Sequence, residues 1–231
     1  MDEYYFKVLK KIGETIRYKK RPKIFHQLLS THIYNCIELA ELYHSKYNLN
    51  LDIIVSKNIV QNHDIGEYLE GDHDAKKILD GEISQHQKEL DEKRGWDSLE
   101  SILPAEVYAL KRNYWEMFEY NSNKEFLTES LYAKVIDKLE AMIYMSTKPA
   151  KAFKKKSFFN PKGFSLKDYE MSATYGDECF KKFIAEMNKK TGNNWDLKGF
   201  ISLINNVKSD YKKIYEKVGA PWKEEYNYGM K

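Results

Sequence analysis

Apolar residues recur along most of the chain at the three- and four-residue spacing that places them on one face of an α-helix. The longest clear example runs from Phe25 to Tyr47. The same spacing predicts further helices over residues 2–18, around 59–70, over 82–101 with a break near Gly95, from Pro104 onwards, over 167–190 and over 196–218. No stretch of any length alternates apolar and polar residues as a strand would. The pattern therefore predicts an all-α fold.

Residues 126–145 are apolar nearly all round, so this helix is expected in the middle of a helical bundle. Asp137 lies within it, and an acidic side chain buried there needs a partner. Lys134 and Lys138 are alternative salt-bridge partners. Helical geometry turns both lysines roughly 60 to 100 degrees away from the aspartate, which favours a metal ion as the partner.

A second acidic cluster surrounds the adjacent pair His63 and Asp64. If the helix continues beyond this pair, Glu67 lies one turn further on the same side, and Asp72 follows where the helix is expected to stop. Apolar residues precede the pair, so these side chains point to an interior in which an isolated charge costs several kcal/mol. A bound metal ion would offset that cost by using the carboxylate oxygens and the imidazole nitrogen as ligands.

A lone His, then an adjacent His-Asp pair and then a distant Asp is a pattern that resembles the HD-domain phosphohydrolases. His32 lies 31 residues before His63, and the run Asp137-Lys-Leu-Glu-Ala resembles the closing helix of that family. The resemblance covers roughly residues 10 to 147. It implies an HD-domain helical bundle with additional C-terminal helices, and it implies one divalent ion (Mn, Co, Fe, Mg or Zn) with four ligands: His32, His63, Asp64 and Asp137.

The run His-Asp-x-x-Glu-x-x-x-x-Asp is more closely similar to the branch that contains bacterial 5′-deoxynucleotidases. That resemblance implies that Glu67 is catalytic, and that Asp72 is catalytic and close to the sugar of the substrate. It also implies that Arg17, which lies 15 residues before His32, binds the phosphate and contributes to catalysis. Tyr18 is the neighbouring aromatic residue and is a candidate for stacking on the base.

Length and composition allow one large domain, or one domain with an appendage, in 231 residues. We expect the phosphohydrolase core in residues 1–147, and a basic loop and C-terminal helices that pack on it in residues 148–231.

No run approaches 18 apolar residues and the N-terminus lacks a signal-peptide pattern. Cys36 and Cys179 lie in helical patterns and are expected to be buried thiols. These features favour a cytoplasmic protein without a membrane partner.

The net charge of +3, from 38 basic and 35 acidic residues, is too small to indicate a nucleic-acid coat. The basic excess is local, because lysines alternate with phenylalanines over residues 148–162. Such a stretch is typical of a solvated loop. It is also compatible with a site for a polyphosphate tail or for single-stranded nucleic acid.

The favoured function is the hydrolysis of a nucleoside 5′-monophosphate, in particular a deoxynucleotide, to nucleoside and phosphate. A (d)NTP triphosphohydrolase that uses the lysines of residues 148–162 is the alternative within enzymes. A nucleotide- or nucleic-acid-binding protein with an inactive metal site is the alternative of another class. The nucleotide substrate is the expected partner, and a homodimer is compatible with the sequence.

Overall fold

The most apolar segment of the chain forms the central helix of the computed structural model, which describes residues 3–19, 21, 23–73, 81–149, 166–192, 194–219 and 222, with the backbone alone at 166–173 and 175. The fold is all-α. The helices are α1 Glu3–Glu14, α2 Leu29–Lys46, α3 Ile53–Asn62, α4 Gln85–Leu99, α5 Ala105–Tyr120, α6 Leu127–Ser146, α7 Leu166–Thr191 and α8 Leu197–Lys217.

Helix α6 packs against helices on several sides, namely α2, α3, α5, α7 and α8. Its apolar side chains are therefore buried nearly all round its axis, among them Leu131, Tyr132, Ala133, Val135, Ile136 and Leu139. The hydroxyl of Tyr132 donates to the backbone oxygen of Ala40 at 2.7 Å, which ties α6 to α2. This central position explains why Asp137 and Glu140 of α6 are also buried.

Several helices begin with a side-chain cap, in which a polar side chain accepts hydrogen bonds from the first backbone N–H groups. Asp52 accepts hydrogen bonds from the backbone N–H groups of Ile54 and Val55 at the start of α3, and Ser84 accepts from the N–H of Gln87 at the start of α4. Such caps satisfy backbone donors that have no partner within the helix. They fix where α3 and α4 begin, and so they fix which residues of each helix reach the centre of the molecule.

The first helix is shorter than the predicted span of residues 2–18, because α1 ends at Glu14. Ile16–Arg17 form strand β1, which pairs antiparallel with strand β2, Gln27–Leu28. Helix α2 consequently begins at Leu29 and not at Phe25 as the periodicity predicts. Each of these strands has two residues, which is too short to show the alternation of apolar and polar residues. The strand pair holds Arg17 at 9% exposure beside α2 and α6.

The helix that was expected to carry His63, Asp64 and Glu67 together ends before them, since α3 stops at Asn62. Asp64 has φ of −107° and ψ of 7°, outside the helical region, and a short 3-10 helix follows at Ile65–Tyr68. This change of backbone direction alters where each side chain points. Asp64 and Glu67 therefore do not share one helical face.

Helix α4 runs without a break through Gly95, where the sequence predicts one. Gly95 instead allows a close contact between α4 and the 3-10 helix at Ile65–Tyr68. A Cβ atom at Gly95 would lie 1.9 Å from the backbone oxygen of Gly66, and a Cβ at Gly66 would lie 2.6 Å from the backbone oxygen of Glu92. The backbone of the 3-10 helix thus lies directly on the backbone of α4, which is possible because neither glycine carries a side chain.

Helices α7 and α8 share the main apolar core with the N-terminal helices. Phe180, Phe183 and Phe200 are fully buried in the same cluster as Tyr132 of α6. The division into a core at 1–147 and an appendage at 148–231 stays a prediction. Among the described residues, every helix is too short or too polar to span a lipid bilayer.

We expect Gly95→Ala to lower the free energy of unfolding by about 3 kcal/mol, because the added methyl group must push the 3-10 helix away from α4. Gly13→Ala is the matched control, since a Cβ at Gly13 meets nothing within 4 Å. That change should be neutral or stabilising by about 0.5 kcal/mol. Urea denaturation of both variants tests the contact, and equal midpoints would contradict it.

Candidate metal centre

Four side chains from three parts of the fold meet at the centre of the molecule. His32 comes from α2, His63 and Asp64 follow the end of α3, and Asp137 comes from α6. The Nε2 atoms of the two histidines are 3.3 Å apart. His63 Nε2 lies 3.1 Å from Asp64 Oδ2, and His32 Nε2 lies 3.3 Å from Asp137 Oδ1. The cross distances are 3.6 Å from His32 to Asp64 and 3.9 Å from His63 to Asp137.

The other nitrogen of each imidazole has its own partner. His63 Nδ1 donates to the backbone oxygen of Val60 at 2.6 Å, and His32 Nδ1 lies 2.6 Å from Glu140 Oε2. A neutral imidazole that donates from Nδ1 has a lone pair on Nε2. Both Nε2 lone pairs therefore face the shared centre, which is the arrangement that histidine ligands of a metal ion require.

Glu140 is a functional residue that the sequence analysis did not assign. Its Oε1 atom accepts from Gln27 Nε2 at 2.7 Å and from Asn35 Nδ2 at 2.9 Å, while Oε2 holds His32. Burial would raise the pKa of Glu140, but its hydrogen bond with His32 lowers it, so the carboxylate stays charged. Its spacing of three residues from Asp137 puts both on one face of α6, and that spacing was the available signal.

This set of donors fits a divalent cation. Metal–ligand bonds to histidine nitrogen and carboxylate oxygen are roughly 2.0–2.2 Å long, so neighbouring ligand atoms lie about 3 Å apart, as several pairs do here. Burial would raise the pKa of Asp64, but the adjacent His63 lowers it. Burial would lower the pKa of His63, but the carboxylate of Asp64 raises it to about 9. In the metal-free protein His63 therefore also carries a proton on Nε2, and a cation that binds at the centre would take the place of this proton.

A competing group of His32, Cys36 and Glu140 also satisfies simple distance criteria for a metal site. Within it, however, His32 Nδ1 and Glu140 are already hydrogen bonded to each other. Burial also raises the pKa of Cys36 well above its usual value, which disfavours the thiolate that binds metals. The group of His32, His63 and Asp64 is therefore the better candidate.

The expectation that Lys138 points away from Asp137 is wrong, because Lys138 Nζ lies 2.7 Å from Asp137 Oδ2. The long lysine side chain bends back along the helix surface, which a projection angle at Cα does not capture. The other oxygen of Asp137 still faces His32. The salt bridge and the contact with the histidines therefore coexist on one carboxylate.

Glu67 lies close to this centre but is not part of the ligand group. It is 4% exposed, and its Oε2 atom has no hydrogen-bond partner among the described residues. Burial and the carboxylates of Asp64 and Asp72 raise the pKa of Glu67 well above its ordinary value. A buried carboxyl oxygen without a hydrogen bond is costly in a folded protein, and groups with strongly shifted pKa values cluster at functional sites.

Arg17, Tyr18 and Asp72 lie together beside the metal ligands. Arg17 Nη2 is 4.0 Å from Asp137 Oδ1, and Arg17 Nη1 is 3.9 Å from Glu140 Oε2. The backbone N–H of Tyr18 donates to Asp72 Oδ2 at 3.0 Å. Tyr18 has φ of 59°, a left-handed conformation that is strained for a residue with a side chain. The hydrogen bond that Asp72 accepts from the backbone N–H of Tyr18 stabilises this conformation.

The aromatic ring of Tyr18 lies within a cluster of cations and a second tyrosine. Its centroid is 5.3 Å from Arg17 Cζ and 5.8 Å from Arg21 Cζ. The ring is nearly parallel to that of Tyr144, with an angle of 11° and a centroid distance of 6.3 Å. The structure therefore brings all eight residues that the sequence analysis assigned to the site into one region.

Comparison with protein families gives one result. A family model described as HD domain matches residues 14–168, which are 155 of the chain's 231 residues. No curated protein and no solved structure matches the chain.

We expect His63→Ala and Asp64→Ala to abolish the divalent metal content of the purified protein, because each removes a ligand. Glu140→Gln should weaken metal affinity about 10- to 100-fold, since it removes the charge that orients His32. His86→Ala is the control, as His86 is exposed on α4. Elemental analysis after dialysis measures the content, and full occupancy in His63→Ala would contradict the ligand assignment.

Glu67→Gln is expected to stabilise the metal-free protein as the pH rises. The folded-state pKa of Glu67 is raised, so the stability it contributes is complete below about pH 4 and is lost at higher pH. The variant does not titrate and escapes this loss. Its advantage in free energy of unfolding should grow from about pH 5 to about pH 8, to about 1 kcal/mol or more. Urea titrations with a chelator present measure it, and an advantage independent of pH would contradict the cause.

Proposed function

The chain belongs to the HD-domain family, a family of metal-dependent phosphohydrolases, and from this we propose that it hydrolyses nucleoside 5′-monophosphates, deoxynucleotides in particular, to nucleoside and phosphate. One observation carries the choice of substrate. The guanidinium group of Arg17 lies 4.0 Å from Asp137, and the next residue, Tyr18, is bonded to Asp72. A guanidinium group, an aromatic ring and a carboxylate thus lie side by side, which supports the proposal that they bind phosphate, base and sugar.

His32, His63, Asp64 and Asp137 would hold the divalent ion. When bound, such an ion polarises a phosphate oxygen and lowers the pKa of a coordinated water. The two imidazoles keep their Nε2 atoms on the centre because Val60 and Glu140 hold their Nδ1 atoms. This arrangement needs no rearrangement of either ring before a substrate binds.

Glu67 is the proposed proton carrier. Its raised pKa favours the protonated form, which can donate a proton to the leaving 5′-oxygen of the sugar. The alternative role belongs to the ionised form, which would instead orient the attacking water and accept its proton. Its unpaired Oε2 atom is available to a substrate or a water molecule, whereas the carboxylates of Glu140 and Asp137 are engaged by other side chains.

Arg17 is the proposed phosphate binder. Its planar group of N–H donors matches the oxygens of a phosphate. Burial would lower the pKa of Arg17, but Tyr18 and the surrounding carboxylates raise it well above its usual value, so the guanidinium remains charged. Its Nε atom has no partner among the described residues and can donate to a bound anion.

Tyr18 and Asp72 are the proposed binders of the nucleoside. The ring of Tyr18 offers a face for stacking on a base. Asp72 uses one oxygen for the backbone of Tyr18, and its carboxylate is an acceptor for a sugar hydroxyl. Asp72 accepts a hydrogen bond from Tyr18, the residue that follows Arg17. The three residues proposed to bind sugar, base and phosphate are therefore directly connected to one another.

A triphosphate substrate is the second candidate. Lys148 Nζ lies 3.6 Å from the ring centroid of Tyr144, and Tyr144 is parallel to Tyr18. A cation at that position would suit a phosphate tail that extends beyond the metal centre. The remaining lysines of this prediction, Lys151 to Lys162, lie outside the described residues.

The test is a panel of dNMPs, NMPs and dNTPs with Mn²⁺, Co²⁺ and Mg²⁺. The proposal expects inorganic phosphate from the monophosphates. Inorganic triphosphate from the dNTPs would favour the second candidate instead. Salt-dependent binding to oligonucleotides without turnover of any nucleotide would overturn both, and would favour a binding protein with an inactive site.

We expect Glu67→Gln to lower kcat about 100-fold or more while metal content stays at the wild-type level, because the variant loses the proton carrier and no ligand. Glu70→Gln is the matched control. Glu70 is an exposed neighbour that pairs with Arg94 at 3.7 Å, and its loss should leave kcat unchanged. Wild-type turnover by Glu67→Gln would show that Glu67 has another role.

A further inference from the structure

Strand β2 places a glutamine beside the arginine that is the proposed phosphate binder. Arg17 and Gln27 are directly paired across the two strands, so their side chains lie on the same face of the strand pair. That face points inward, because Arg17 and Gln27 are buried, whereas the neighbouring Leu28 is exposed. The strand pair thus buries an uncharged polar side chain next to the guanidinium group.

The amide of Gln27 contacts a carboxylate at one end and the guanidinium group at the other. Its Nε2 atom donates to Glu140 Oε1 at 2.7 Å, and its Oε1 atom accepts from Arg17 Nη1 at 3.5 Å. A lysine has no acceptor at its end and an ionised glutamate has no donor. A neutral amide is therefore the side chain that suits both partners at once.

Both oxygens of Glu140 are already engaged by donors other than the arginine. Its Oε1 atom accepts from Gln27 and also from Asn35 Nδ2, at 2.9 Å. Its Oε2 atom lies 2.6 Å from His32 Nδ1. Arg17 Nη1 stays 3.9 Å from this second oxygen, which is longer than a hydrogen bond. The carboxylate therefore attracts the guanidinium group without binding it closely.

The guanidinium group of Arg17 retains donors for another anion. Its distances to oxygens of Gln27, Glu140 and Asp137 are 3.5, 3.9 and 4.0 Å, at or beyond the limit of a hydrogen bond. Its Nε atom has no partner among the described residues. Buried polar groups normally have hydrogen-bond partners, and a phosphate group would supply the missing acceptors.

We propose that Gln27 is a positioning residue that keeps Arg17 available for the phosphate group of the substrate. Its amide donates to Glu140 and offers an acceptor to Arg17, and so it prevents the two charged groups from closing into a direct ion pair. Without this amide, the guanidinium group would move onto Glu140 and away from the phosphate. The inference rests on the proposed role of Arg17, and it adds a residue that does not touch the substrate.

Gln27→Met is the primary variant, because methionine is similar in length and lacks the amide. The probe is inorganic phosphate, the product of the proposed reaction, titrated calorimetrically into protein saturated with Mn²⁺. We expect the variant to bind phosphate about tenfold more weakly, which corresponds to one charge-assisted hydrogen bond. Unchanged phosphate affinity would overturn the inference. Should Gln27→Met unfold, Gln27→Leu undergoes the same titration.

Asn35→Leu is the matched control. Asn35 donates to the same oxygen, Glu140 Oε1, but it does so from α2 and its hydrogen bond does not include the arginine. With Mn²⁺ saturating and metal occupancy measured in each sample, its phosphate affinity should stay near that of the wild type. Equal losses in Asn35→Leu and Gln27→Met would show that the effect passes through Glu140 and the metal ion, and would contradict the proposal.

Two double variants test the mechanism itself. In a Glu140→Gln background the arginine has no carboxylate at this position to pair with, so adding Gln27→Met should weaken phosphate binding no further. In an Arg17→Met background it should also have no effect, since Gln27 acts through the arginine. A merely structural role of Gln27 would weaken phosphate binding in both backgrounds, and that result would exclude the proposed role.

The phosphate titration also separates this inference from the proposed function. A protein that hydrolyses no nucleotide, but in which Gln27→Met weakens phosphate binding as described, would refute the function and support the inference. If Arg17→Met binds phosphate as tightly as the wild type, Arg17 is not the phosphate binder. The inference then fails even when the enzyme hydrolyses nucleotides.

Discussion

Burying several ionised carboxylates in the middle of an apolar bundle is the constraint on which the rest of the structure depends. Asp64, Asp137 and Glu140 are at most 13% exposed in their side chains, and an isolated charge in such a place costs several kcal/mol. Imidazoles, a guanidinium group and amide donors surround them. A divalent cation fits among these groups, since its ligands are already oriented.

The N-terminal segment shows how the fold supplies one of these compensating charges. If the first helix continued through residue 17, helical periodicity would set the direction in which the side chain of Arg17 points. Instead, strand β1 pairs with β2 and directs the guanidinium group between Asp137 and Glu140. The same turn forces Tyr18 into a left-handed conformation that Asp72 stabilises. Phosphate binding and nucleoside binding are thus proposed for residues that one local structure controls.

The 3-10 helix that carries Glu67 depends on a second helix in a different way. The backbone contact of Gly66 with Gly95 brings α4 directly against this 3-10 helix. Some charged residues of α4, Asp91 and Glu92, are therefore buried. Two layers result: carboxylates and imidazoles that suit a metal ion, and a separate group around Glu67 that suits proton transfer.

The amino-acid sequence by itself determined the all-α class and the central position of α6, and it singled out the eight candidate residues that the structure brings together. It did so because helical periodicity and the spacing of the His-Asp pattern are local properties of the chain. Only the tertiary structure decided that α3 ends before His63, that Lys138 pairs with Asp137, that Glu140 orients His32, and that α4 approaches Glu67. Each of these depends on contacts between residues far apart in the chain or on the path of a flexible side chain, and neither is encoded in spacing.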